Sequence, residues 1–396
     1  MNNIQNIFYT LLKTLNISYK RYFFDIVDFN EKLIGIFGDR GIGKTTFLLQ
    51  YLKELNLPLN KKLYINAEYL SLSNVNLFEL ADEFHKKGGK VFVIDEIHKI
   101  DNFEKHLKLI YDFLDLKVIF TGSSAIKLEH SKADLSRRSM IYRVNGLSFR
   151  EFLELKLNIK LNSYSLKKIL RNHEEIAFEI TSKLKPFEFF DEYLKFGYYP
   201  FYFDTSKENF YLKLNEMINA TIEFDLAHIF NIEPKLTIKL KQLVTLICSS
   251  KPYELNISKL AQKIEINRNT LYQYIYYLHR GQIFNNVYPT NKGDSIFSKP
   301  SKLYLNNTNL LYAYCDNIDI GTIRETFFAN QLKINHKINY SKIGDFLVDE
   351  KYIFEIGGKN KSFNQIKDIK NSYVVADDIE IGFGNKIPLW LFGFLY

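Results

Sequence analysis

The chain has 396 residues, 46% hydrophobic and 16% aromatic, with a formal net charge of +8. That length exceeds one ordinary core, so two or three domains are expected. No apolar run reaches the roughly 18 residues of a membrane span, and Met1-Asn2-Asn3-Ile4 puts no basic stretch ahead of an apolar one, which argues against a membrane protein and against secretion. Cys248 and Cys315 are the only cysteines, far apart and without metal-type spacing, so a reduced, cytoplasmic protein is expected.

Residues 1–31 read as helical, with Ile4, Ile7, Phe8, Leu11 and Leu12 at helical spacing. The apolar run 33–37 is the first strand, and Gly38-Asp39-Arg40-Gly41-Ile42-Gly43-Lys44-Thr45-Thr46 follows it directly. This is G-x-x-x-x-G-K-[ST] between a strand and a helix, the phosphate-binding P-loop. Glycines let the backbone curl so that N–H groups point at phosphate oxygens, and the helix that follows begins with its positive end at the anion. Lys44 supplies a charge for the β- and γ-phosphates, and Thr45 a hydroxyl for Mg²⁺. Gly38, Gly41, Ile42, Gly43, Lys44, Thr45 and Thr46 are therefore the expected nucleotide-binding residues. Further strands read at 62–66, 90–95, 117–121 and 140–144, with helices at about 44–55, 77–87 and 103–114, the alternation of a parallel sheet.

The strand Val91-Phe92-Val93-Ile94-Asp95-Glu96 completes an NTPase site, the Walker B pattern. Asp95 at the strand end is the expected Mg²⁺ ligand beside Thr45, and Glu96 the general base that polarises water. After the next strand, Ser123 is the expected γ-phosphate sensor, with Ser124 next in line. Arg138, in Leu135-Ser136-Arg137-Arg138, is the candidate arginine finger, acting within one chain or from a neighbour.

Several of these elements together resemble the prokaryotic AAA+ ATPases: the P-loop, Leu-Tyr-Ile-Asn, Val-Ile-Asp-Glu-Ile-His-Lys, Thr-Gly-Ser-Ser, Leu-Ser-Arg-Arg and Leu-Ser-Phe-Arg-Glu-Phe. The group most similar pairs that core with a C-terminal domain of unknown function and is related to archaeal-type and STAND ATPases. The resemblance extends through Phe196-Gly197-Tyr198-Tyr199-Pro200 to the tail from Gly321. It implies ATP as the nucleotide, and no Asn-Lys-x-Asp guanine motif argues otherwise. It carries over Lys44, Thr45, Asp95 and Glu96, and less directly Ser123 and Arg138.

From about Leu147 to Asn231 amphipathic helical patterns replace strand signals and read as a helical lid on the nucleotide fold. Between Lys235 and Lys302 eleven Lys and Arg face three acidic residues, a local excess equal to the whole chain's +8. That balance suggests a polyanion partner for residues 235–302. Within this region 236–280 resembles a winged helix-turn-helix: 257–264, a turn at Glu265-Ile266-Asn267, then a second helix presenting Arg268, Asn269, Gln273 and Tyr276 outward with Leu271, Ile275 and Leu278 inward. The same unit can instead dock a protein partner.

The tail resembles the PD-(D/E)xK nuclease pattern, with Glu325 on a helix, Asp345 on one strand and Glu355 on the next as a possible second metal site. The pattern is broken two residues after Glu355, where Gly357 stands, and the nearest lysine is Lys359, so the fold could persist without cleavage. The expected chain is thus α/β: a P-loop NTPase parallel sheet of AAA+ (ASCE) type over 1–150, a helical lid over 151–232, a winged-helix-like region over 233–320 and an α+β nuclease-like domain over 321–396. The expected function is Mg²⁺-dependent ATP hydrolysis coupled to a DNA-binding C-terminal region. The alternatives are a STAND-like regulatory switch acting through protein partners and an ATP-dependent DNA nuclease of a defence or mobile element.

Overall fold

A computed structural model describes residues 2–15, 19–69, 76–122, 135, 137–248, 256–290 and 299–396. It divides into two compact units, Met1–Asn145 and Gly146–Tyr396. The first is built on five strands, β1 (Leu33–Phe37), β2 (Lys62–Asn66), β3 (Val91–Asp95), β4 (Lys117–Gly122) and β5 (Met140–Arg143). They pair in the order β2-β3-β4-β1-β5. Every pairing is parallel, and β1 to β4 are near-continuous apolar runs, as strands covered on both faces must be. The helices Lys44–Glu54, Leu77–Lys86 and Phe103–Phe113 fill the connections. Asn76 caps Leu77–Lys86 by accepting from Phe78 N–H at 2.9 Å. Because β4 lies between β1 and β3, the strand leading into the P-loop and the strand ending in Asp95 are not neighbours, and a β4 side chain stands between their tips.

The second unit holds the helical stretch and everything after it. Helices Phe149–Leu157 and Leu166–Thr181 pack on the C-terminal turn Leu389–Phe394. Ser148 Oγ and Arg150 Nε both donate to the Tyr396 carbonyl, at 2.9 and 2.8 Å, and the Phe149 ring meets Phe394 edge-on. The one division falls after Asn145, near the boundary expected after 150, and within the second unit the helical stretch and the C-terminal tail pack together. The physical reason is that the amphipathic helices bury their apolar faces against the tail, closing one core from elements far apart in sequence.

Helices Pro234–Cys248, Ile257–Ile264 and Arg268–Arg280 follow. Glu265 takes the left-handed conformation (φ 58°) that ends Ile257–Ile264, and Asn267 caps the next helix by accepting from Thr270 N–H at 2.8 Å. An antiparallel hairpin of β6 (Phe284–Val287) and β7 (Lys302–Leu305) completes this part. The last sheet runs β12-β11-β10-β9-β8, with β8 (Ile338–Tyr340), β9 (Phe346–Val348), β10 (Tyr352–Gly357), β11 (Ser372–Ala376) and β12 (Lys386–Pro388). β8, β9 and β10 pair antiparallel, whereas β10, β11 and β12 pair parallel. Helix Ile320–Leu332 lies against it, Phe328 packing on Phe346, Phe354 and Phe392.

Cys248 and Cys315 are joined as a disulfide across 67 residues, tying the end of Pro234–Cys248 to the residue after helix Thr308–Tyr314. The expectation of separate reduced thiols is overturned, and with it the argument for a reducing compartment: distance along the chain said nothing about the fold that returns Cys315 to Cys248. Among the described residues no helix is long and apolar enough to cross a membrane.

Candidate nucleotide site and C-terminal acid pocket

At the tip of β1 the loop curls as its glycines permit, with Gly41 at φ 74° and Gly43 at φ 93°. Gly38 has no room for a side chain, since a Cβ there would sit 2.3 Å from the Val144 carbonyl oxygen. Lys44 is 5% exposed, and its ammonium donates to the carbonyls of Gly38 at 3.0 Å and Asp39 at 2.8 Å. Ile42 is buried, and its carbonyl accepts from Arg21 Nη1 at 3.0 Å. Thr46 lies in the first turn of the helix beside Thr45.

Asp95, 1% exposed, is held by three hydroxyls. Thr45 Oγ1 donates to its Oδ2 at 2.5 Å and Tyr64 OH to the same oxygen at 2.9 Å, while Thr121 donates to Oδ1. Thr121 comes from β4, the strand between the two motif strands, and its oxygen also accepts the Glu96 N–H at 3.1 Å. Glu96 sits in the left-handed conformation (φ 55°), which turns its carboxylate away from the strand line. Its Oε1 lies 4.0 Å from Lys44 Nζ and its Oε2 3.5 Å from His98 Nε2. Oε2 is buried, and no described residue donates a hydrogen bond to it.

The predicted Lys44, Thr45, Asp95 and Glu96 are therefore gathered at one place. Arg138 is not among them. It pairs with Asp112 at 2.9 Å, next to Tyr111, at the end of helix Phe103–Phe113 that feeds the start of β4. In a parallel sheet that edge is opposite the P-loop, so the assignment of Arg138 as a finger on this chain's own phosphate site is corrected. Ser123 and Ser124 lie outside the described residues. Tyr64, Thr121 and Arg21 were missed, because no local motif marks a residue that acts through sheet register or from a preceding segment.

In the second unit Glu325, Asp345 and Glu355 line one pocket of about 620 Å³ together with Lys342, Lys361 and Gln365. Lys302, from β7, bridges Glu325 and Asp345 at 2.9 Å each, and Tyr304 from the same strand donates to Glu325. Asp345 Oδ2 accepts the Ile356 N–H at 2.8 Å, and Lys361 pairs with Glu355. Burial, and then the neighbouring Asp345 charge, hold the Glu325 carboxyl above its usual range. Burial likewise raises Glu355. Burial pulls the Lys302 ammonium down, but Glu325 and Asp345 outweigh it and the net shift is upward. The lysine that reaches Glu355 is Lys361, not Lys359. The three carboxylates share a pocket, yet no group of three or more His, Cys, Asp or Glu among the described residues is arranged to hold a metal ion. The proposed ligand set is corrected accordingly: a lysine ammonium stands between two of its members.

Among known proteins, residues 30–153 match a family model described as an AAA domain, and residues 187–319 match a domain of unknown function (DUF8612). An uncharacterized protein of Methanocaldococcus jannaschii, MJ1637, is 26% identical over 97% of this chain and 91% of its own length. An uncharacterized protein of Haemophilus influenzae is 27% identical over 40% of this chain and 42% of its own length. Among solved structures, a DNA replication initiation factor overlaps with TM-score 0.26 at 15% identity, covering 67% of this chain and 85% of that one. AMPPCP-bound DnaA from Aquifex aeolicus overlaps with TM-score 0.26 at 13% identity, covering 69% of this chain and 86% of that one. Overlaps so loose say nothing about what this chain binds. The AAA-domain match and the five-stranded parallel sheet support a nucleotide-binding P-loop ATPase of AAA+ type in the first unit.

Proposed function

We propose that the chain is a Mg²⁺-dependent ATPase whose nucleotide state is coupled to a nucleic-acid-binding C-terminal region. The observation that carries the ATPase reading is the meeting of Lys44, Thr45, Asp95 and Glu96, with one Glu96 oxygen buried and accepting no hydrogen bond from a described residue. The residues fit a metal–nucleotide. The loop amides and Lys44 offer positive charge, Thr45 and Asp95 offer the hard oxygens that Mg²⁺ takes, and the glycine backbone admits a phosphate. When bound, Mg²⁺ neutralises charge on the β- and γ-phosphates. Lys44, now held by two loop carbonyls, is the mobile cation for those oxygens. Thr45 and Asp95 would hold the metal, and Glu96 would orient water and take its proton. Ser123, two residues past Thr121, remains the proposed γ-phosphate sensor. Substituting Glu96→Gln keeps size and removes the base. Nucleotide uptake should persist while turnover falls by about 10²–10⁴-fold; normal turnover would remove Glu96 from this role.

Support for nucleic acid comes from the helix–turn–helix of Ile257–Ile264 and Arg268–Arg280 with its following hairpin, read as a winged helix. Lys259, Lys263, Arg268 and Asn269 are exposed there. The basic excess is smaller than composition suggests, because Lys235, Lys239 and Lys241 pair with Glu233, Glu265 and Glu223, and Lys302 is buried. Duplex binding by the full chain should weaken steeply as salt rises. Turnover stimulated by DNA favours the coupled ATPase; turnover indifferent to DNA favours a switch that works through a protein partner.

A further inference from the structure

We propose that Tyr64 is the positioning residue of the magnesium site: its phenolic O–H, donated from β2, fixes the Asp95 carboxylate in the orientation from which it holds the metal. The inference rests on reading the first unit as a Mg²⁺–nucleotide site. An ionised carboxylate only accepts hydrogen bonds, and Asp95 accepts three, from Thr45, Tyr64 and Thr121. Two of these donors have other duties. Thr45 is itself the expected metal ligand, so its oxygen must also serve the cation. Thr121 accepts the Glu96 N–H through the same oxygen that donates to Asp95. Tyr64 points its hydroxyl at Oδ2 alone among the contacts resolved for it, and its ring is fixed, 4% exposed and stacked on Phe8 at 6.4 Å.

Register explains why a tyrosine serves here. On β2 Asn66 is the partner of Asp95, and Tyr64 is the partner of Val93, two residues before the carboxylate. Reaching forward along the strand to Asp95 takes a side chain that is long, rigid and tipped with a donor. A terminal carboxylate torsion is broad, with no steep well of its own. Partners behind a metal ligand supply that missing constraint, and removing one typically weakens metal binding by about 10–100-fold.

The test is Tyr64→Phe, which keeps the ring and its stacking on Phe8 and removes only the hydroxyl. Calorimetry of ADP uptake is run on wild type and variant, in EDTA and across a Mg²⁺ titration, with the melting temperature of each nucleotide-free protein. The expected result is unchanged affinity in EDTA, an unchanged melting temperature and a Mg²⁺ requirement raised about tenfold. A second variant, Tyr64→Leu, should raise the Mg²⁺ requirement at least as far and also lower the melting temperature, because it loses the ring. A Tyr64→Phe protein with the wild-type or a lower Mg²⁺ requirement would show that Tyr64 only packs. Equal weakening in EDTA and in Mg²⁺ together with early melting would equally overturn the proposal. If the wild type takes up no nucleotide at all, the underlying reading of the first unit fails instead.

Discussion

Asp95 in the first unit and Glu325 in the second each accept a tyrosine hydroxyl, from Tyr64 and Tyr304. Around Asp95 the donors are hydroxyls; around Glu325 an ammonium, Lys302, joins the tyrosine and reaches Asp345 as well. A carboxylate oriented by neutral hydroxyls keeps its charge for a cation from solution. One bonded to a buried ammonium already has its charge matched, and a divalent ion could enter only by displacing a tethered lysine. The same residue types therefore leave an acid without a bonded ammonium in one unit and make a self-neutralised pocket in the other. Lys44 sharpens the contrast: it lies 4.0 Å from Glu96, and its hydrogen bonds go to loop carbonyls that are easily exchanged for phosphate oxygens.

The largest effect expected is on the first site. Lys44→Ala should weaken ATP uptake about a hundredfold or more, as loss of charge-assisted bonds worth about 3 kcal/mol requires; titration calorimetry reads it directly. Next comes the second pocket. Lys302→Met leaves Glu325 and Asp345 facing each other without their ammonium, and breaking such a buried arrangement costs about 3–5 kcal/mol, toward the lower figure because the pocket opens to water. The urea midpoint of the full chain should fall accordingly. An unchanged midpoint, or new tight Mn²⁺ uptake by the variant with no loss of stability, would show that Lys302 does not neutralise the pocket.

Reducing the Cys248–Cys315 bridge, which spans 67 residues, should cost about 2–4 kcal/mol, seen as an earlier melting transition in dithiothreitol. Equal melting with and without reductant would mean that the bridge constrains little. The smallest effect belongs to Arg138→Ala. Its pair with Asp112 is about one-third exposed on both sides, so the loss in stability should stay below about 1 kcal/mol and ATP turnover should not change. A fall in turnover of about 10³-fold would instead show that Arg138 reaches the phosphate of a neighbouring chain.

What could be read from sequence follows from how each piece is encoded. The P-loop and Val91–Asp95 are contiguous, with residue types fixed by backbone and charge, so Lys44, Thr45, Asp95 and Glu96 were all legible. The strands of the first sheet also appear within a residue or so of their expected limits, because buried parallel strands are uniform apolar runs. β8 and β12, three residues each, were not read from the sequence, whereas β9, equally short, was. Tyr64 and Thr121 were not legible, since their roles come from strand order and register rather than spacing. Nor was Lys302, which composition counted toward a basic face and the fold buries among acids. The helical stretch was recognised as helical, but amphipathic faces do not announce their partners, and these turned out to cover the C-terminal tail.

On the proposed reading a loop of main-chain amides, with Lys44, Thr45 and Asp95, takes up a magnesium nucleotide. Titration calorimetry of the full folded chain with a non-hydrolysable ATP analogue, in Mg²⁺ and then in EDTA, tests it most directly. Saturable uptake that weakens when the metal is withdrawn is the predicted result; no heat of binding from folded protein in Mg²⁺ would contradict it.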